Sequence, residues 1–108
     1  MIRIYVDRES DTVKSITFHG HVGYAKYGED IVCASVSALF INALNSIEAL
    51  LGETMEYEKS GRGEDQVVRV NFPKAPSKEA SLLIESMLFG IRTIMSEYGD
   101  KYVSLTER

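Results

Sequence analysis

His19, His21 and Cys33 are the only histidines and the only cysteine in this chain, and they lie within one short stretch. Cys33 follows His21 by twelve positions, and the sequence pattern changes at the cysteine. Before it, Gly20, Gly23 and Gly28 punctuate a loop; after it, apolar residues recur at helical spacing. A thiol at a helix start gains from unpaired backbone N–H groups and the positive end of the helix dipole, both of which favour the thiolate. An imidazole within reach supplies the acid–base partner that a cysteine nucleophile needs. The N–H groups of Cys33 and Ala34 are then placed to hold an oxyanion. His21 closes a strand at the mouth of the loop, and the three glycines let that loop fold over a bound peptide and bring the ring to Cys33.

Each of these residues also has a plainer reading. A lone cysteine is commonly a small buried hydrophobe, and glycines in a connector often serve only tight turns. Asp30 either orients the imidazole or caps the helix. Ser37, one turn beyond Cys33 on the same face, either contacts the thiolate or bonds back to the Cys33 carbonyl. His19 sits two residues before His21, on the same side of a strand, so His19, His21, Asp30 and Cys33 make a possible zinc set, although structural zinc sites favour several cysteines. The glycine loop entering a helix suits a phosphate as well, yet it matches neither the Walker nor the dinucleotide pattern, and Lys26 is its single positive charge. A cysteine hydrolase leads; a metal site and a non-catalytic binding module with an inert Cys33 stay open.

The elements that must position these residues follow from periodicity. Ile2, Ile4 and Val6 alternate with Arg3 and Tyr5, and after a polar turn a second run from Val13 to His19 puts Ile16 and Phe18 on one face, which predicts a hairpin. From Cys33 onward, Val36, Leu39, Phe40, Ala43, Leu44, Ile47 and Leu51 form the stripe of a helix that Gly52 ends. A second hairpin spans Met55 to Phe72, closed by Pro73 and Pro76. Ser77 then caps a second helix, with Glu79 in its first turn, the stripe Ala80, Leu83, Ile84, Met87, Leu88, Ile91 and Met95, and Gly99 at its end. The order β-β-α-β-β-α predicts an α+β two-layer sandwich, one antiparallel or mixed sheet with two helices on one face. The other face is left solvated or covered by a partner, with Tyr5, Val13, Tyr57 and Val67 as apolar candidates for self-association.

Composition narrows the function classes. A chain of 108 residues is a single domain's worth, and 44% hydrophobic with 26% charged residues describes an ordinary globule. The first residues alternate apolar and polar and meet charge early, which is unlike a signal peptide; with one cysteine and no possible internal disulfide, a reducing cytoplasmic setting is expected. Ser35, Ser37, Asn42, Asn45, Ser46 and Glu48 interrupt the apolar stretch Ile31 to Leu51 and argue against a membrane span. A net charge of −4 argues against broad nucleic-acid binding and favours small molecules or basic partners.

Read together, Gly20-His21, Gly23-Tyr24-Ala25, Gly28 and the run Asp30-Ile31-Val32-Cys33-Ala34-Ser35-Val36-Ser37 resemble the ribosomal-processing cysteine protease family, Prp. Chain length and element order agree with that family throughout. The resemblance implies a single protease domain over residues 1–108, with the family's histidine and cysteine on His21 and Cys33 and its aspartate and serine on Asp30 and Ser37. It implies an endopeptidase that removes a short N-terminal extension from a basic large-subunit ribosomal protein, acts as a homodimer and uses no cofactor or metal. Val22 after the histidine and Ser35 after Cys33-Ala34 depart from the residues common in the family, which bears on fine specificity more than on activity.

Overall fold

Alternation along the strands decides which way the sheet faces. In the computed structural model, which describes residues 2–20, 29–62, 65–99 and 101–108, β1 (Ile2–Glu9) and β2 (Thr12–His19) form the predicted hairpin. Val6 lies opposite Ile16 and Ile4 opposite Phe18, and all four side chains are buried. β3 (Glu56–Ser60) and β4 (Val67–Asn71) form the second hairpin, and β4 pairs antiparallel with β2, Val70 against Ile16 and Val68 against Phe18. These inward side chains share one face because directly paired residues always do.

The two helices cover that face. α1 (Glu29–Leu51) crosses β2, where the rings of Phe40 and Phe18 lie 4.1 Å apart, and reaches β3, where the Tyr57 hydroxyl donates to Glu48 at 2.6 Å. α2 (Lys78–Tyr98) begins as the sequence predicts: the Ser77 hydroxyl accepts from the Ala80 N–H at 3.0 Å and itself donates to the Glu53 carboxylate. Ala80, Ile84, Met87, Leu88 and Ile91 are its buried stripe. A Cβ on Gly90 would lie 2.8 Å from the Leu39 side chain, so the glycine is what lets the two helices approach closely at that point.

A fifth strand completes the sheet. β5 (Val103–Glu107) pairs parallel with β1, giving the order β3-β4-β2-β1-β5 in one mixed sheet. The α+β two-layer architecture is as expected, but the expected element order stops one strand short. Val103 and Leu105 are the only inward apolar residues of that strand, too short an alternation to stand out, and its partner is at the far end of the sequence. Arg8 ties β5 down by donating to Glu107 (2.6 Å) and to Glu85 on α2 (2.7 Å), while Arg92 donates to Glu107 (2.7 Å) and Arg108 to Asp7 (3.1 Å).

Three details differ from the periodicity reading. Helix α1 starts at Glu29, four residues before Cys33, because the helical run extends upstream of the apolar stripe. Of the apolar residues assigned to the open sheet face, Val13 is buried in the core and Tyr57 faces the helix layer, which leaves Tyr5 and Val67. By length and composition Ile31–Leu51 is apolar enough to cross a membrane. Its apolar residues include Val32, Val36, Phe40, Leu44 and Ile47, all buried against the sheet, which is what a core helix requires.

Candidate active site

Cys33 is set by the run of α1. The helix leaves the end of β2, passes Phe40 over Phe18 and returns toward the start of β3, so it lies antiparallel to β2. Cys33 precedes Phe40 by seven residues, about 10 Å along the axis. That places it at the sheet end where β2 finishes. Gly20 stands at the same end with φ of 105°, a conformation that side chains beyond glycine rarely adopt, and its N–H donates to the Gln66 carbonyl at 2.8 Å. This bond joins the exit of β2 to the turn before β4 and makes a fixed floor beside the start of α1.

Cys33 is only 4% exposed and belongs to the core cluster through Val32 and Val36. Ser37 is also 4% exposed, one turn further on, and its Oγ has no hydrogen-bond partner among the described residues. It does not bond back to the helix, whereas Ser35 donates to the Ile31 carbonyl at 2.7 Å and Thr93 to the Phe89 carbonyl at 3.0 Å. A buried hydroxyl without a partner costs roughly 1–3 kcal/mol, so its place on the face that carries Cys33 calls for another use. Ala34, by contrast, is exposed.

The start of α1 at Glu29 puts Cys33 in the second turn of the helix and not at its first residue. The orphan N–H groups of a helix are its first four, here those of Glu29 to Val32. Cys33 and Ala34 stand fifth and sixth, where their N–H groups face the carbonyls of Glu29 and Asp30 in the helical ladder.

His19 does not join Cys33. It pairs with Arg3 and Val67 on the open face of the sheet and meets the Tyr5 ring edge-on, 5.4 Å between centroids, while Cys33 lies in the helix layer on the other face. The zinc set built on both residues is thereby broken, and among the described residues no cluster of three potential ligands occurs. His21, Gly23 and Gly28 lie outside the described residues, as does the side chain of Asp30.

Several concavities lie elsewhere among the described residues. One of about 360 Å³ is lined by Ile47, Glu53, Phe72 and Lys74 at the opposite end of α1. Another of about 440 Å³ opens on the bare sheet face beside Thr17, His19, Glu58, Arg69 and Arg108.

Known proteins agree with the thiol reading. The family described as cysteine protease Prp matches residues 1–104. The ribosomal processing cysteine protease Prp of Bacillus subtilis is 33% identical over 106 residues, 93% of this chain and 92% of the relative. The protein of the same name from Staphylococcus aureus is 32% identical over 90 residues, 82% of this chain and 81% of the relative. Among solved structures, an essential ribosomal processing protease Prp from S. aureus, in complex with a covalently linked product peptide, superposes with a TM-score of 0.84 at 27% identity and full coverage of both chains. The Streptococcus mutans protein SMU.848 gives 0.86 at 26% identity, covering 99% of this chain and 93% of the other. With its mixed five-stranded sheet, two covering helices and one core cysteine at the end of β2, the chain belongs to the Prp family of ribosomal-processing cysteine proteases.

Proposed function

We propose that this chain is an endopeptidase that removes the N-terminal extension of a large-subunit ribosomal protein, with Cys33 as nucleophile and His21 as its acid–base partner. The observation that carries this reading is arithmetic: a cysteine protease needs a reactive thiol, and this chain has one cysteine. A relative of the same fold holds a covalently linked product peptide, the chemistry expected of a thiol that acylates.

In this mechanism the Cys33 thiolate attacks the scissile carbonyl, and the carbonyl oxygen takes up the negative charge. His21, protonated by the thiol, passes that proton to the leaving amine as the C–N bond breaks. Water, activated by the now neutral His21, then releases the acyl group and restores the thiol. With Cys33 in the second turn of α1, the helix dipole contributes less to the thiolate, and the charged imidazole contributes more. The Ser37 hydroxyl, buried one turn away and without a partner among the described residues, serves the thiolate or the bound peptide as a donor. Asp30 orients His21 or fixes the loop that carries it. A homodimer in the cytoplasm completes the reading; Ile31, Ile41, Leu82 and Phe89, apolar and exposed on the two helices, suit a second copy.

The test is to mix the protein with the large-subunit ribosomal protein of its own source, extension intact, and follow the mass of the product. Wild type cuts once near the N-terminus and Cys33→Ala does not. A cut that persists in Cys33→Ala, or no cut by wild type, overturns the assignment.

A further inference from the structure

The two sheet edges of this molecule are treated very differently. On the β5 side three carboxylates are neutralised: Glu107 by Arg8 and Arg92, Glu85 by Arg8, and Asp7 by Arg108. All four ion pairs among the described residues lie there. The β3 side has none among the described residues. Helix α1 contains Glu29, Asp30 and Glu48 with no lysine or arginine, and β3 adds Glu56 and Glu58 against the single Lys59. Glu48 accepts only from Tyr57, and Glu56 and Glu58 make no ion pair. Even Arg69, opposite Glu58 in register, turns its Nε to Asn71 at 3.2 Å.

β3 is also an open edge. It pairs with β4 on one side only, and all five of its residues are exposed. Such an edge offers unpaired backbone donors and acceptors to any extended chain, and natural sheets usually blunt it with charge, proline or cover. Here the charge that guards it is negative, which repels another copy of the same acidic edge and attracts a basic segment. β3 runs parallel to β2, since both are antiparallel to β4, so its Ser60 end lies level with His19, beside the sheet end that carries Cys33. A strand added outside β3 stands three strand spacings, about 14 Å, from β2, a gap that four or five extended residues span.

We propose that the free edge of β3 is the docking strand for the substrate, which adds to the sheet as a sixth strand with lysine or arginine two residues apart facing Glu56 and Glu58, and runs on past Ser60 to Cys33. This rests on Cys33 being the peptidase nucleophile. Backbone pairing supplies affinity with little regard for side chains, and the two carboxylates, on one face because they alternate with Tyr57, supply the preference for basic residues at that spacing.

The experiment uses a fluorescent peptide spanning the extension junction of the source's large-subunit ribosomal protein, its binding to full-length Cys33→Ala read by anisotropy. Adding Glu56→Lys with Glu58→Lys weakens binding about tenfold at low ionic strength, less at high salt, whereas Glu97→Lys on α2 does not. Peptides N-methylated one residue at a time lose binding at every second position of the docked segment, the signature of a strand. Binding indifferent to the double reversal, or a methylation profile without that alternation, overturns the proposal. So does a double reversal that alters the oligomeric state and leaves peptide affinity intact, which would assign the edge to a second copy. Cleavage by wild type scores the peptidase reading separately: an intact cut with no edge dependence sinks the docking strand alone, and edge-dependent binding without a cut sinks the peptidase alone.

Discussion

Ser37 is the residue whose substitution best separates structure from activity. Removing a buried hydroxyl that has no partner among the described residues relieves a desolvation cost instead of breaking a bond. Ser37→Ala is therefore expected to leave the denaturant midpoint unchanged or raise it, by up to about 1 kcal/mol, while lowering the cleavage rate. A fall in stability of the same size would mean that the hydroxyl is structurally bonded after all. Cys33 carries a complementary expectation. As the only thiol, it is the only site for iodoacetamide, and its alkylation rate below pH 7 in wild type should exceed that in His21→Ala, because a neighbouring imidazolium stabilises the thiolate. Equal rates would leave the pair without a mechanism. The candidate nucleophile stood out in the sequence because Cys33 is the one cysteine of the chain and lies twelve positions after His21. The orphan state of Ser37 was not, because burial and hydrogen bonding depend on what the fold packs around a residue.

At the scale of elements, α1 is held to the sheet chiefly where Phe40 meets Phe18. Phe18 is fully buried, so Phe18→Ala should cost about 3–5 kcal/mol, measured by denaturant unfolding, and should lower cleavage as well because the same contact sets the height of Cys33 above β2. Both helical stripes could be read from the sequence, since three- and four-residue spacing is a local signal that the core then enforces. The start of α1 could not: Glu29 and Asp30 are charged, and Ile31, the first apolar residue, is 60% exposed, so no apolar stripe marks the first turn. That missed turn puts Cys33 and Ala34 four and five residues inside the helix. β5 was missed for the opposite reason. Its pattern is local but brief, and what makes it a strand is β1, a hundred residues away, together with Arg8 reaching across to Glu107.

For the whole molecule, the ion pairs of the β5 half set the acid response. Hydrogen bonding from Arg8 holds the Glu107 carboxyl below its usual range, and hydrogen bonding from Arg108 does the same for Asp7. A group with a depressed folded pKa contributes stability that is present above its unfolded value and lost as pH falls through the folded one. The denaturant midpoint should thus begin to fall near pH 4, where unfolded carboxylates titrate, and continue downward; Glu107→Gln should flatten that fall. Tyr57 acts at the other extreme, its pKa pushed up to about 12 by partial burial and by its bond to Glu48. Its contribution is complete below pH 10 and disappears as pH rises toward 12, a loss that Tyr57→Phe should remove.

The placement of β5 has a further consequence for how the molecule assembles. β2, α1, β3 and β4, the parts that surround Cys33, occupy the continuous segment from Thr12 to Asn71, whereas the pairing of β1 with β5 joins residues about a hundred apart. Closing so long a loop carries an entropic cost that must be met before its contacts repay it, so the catalytic half should form early and the ion-paired edge should close last. Pulse-labelling hydrogen exchange during refolding is expected to protect amides of β2 and β4 before those of β5. The protease would then acquire its cysteine site before the strand that locks its first strand in place.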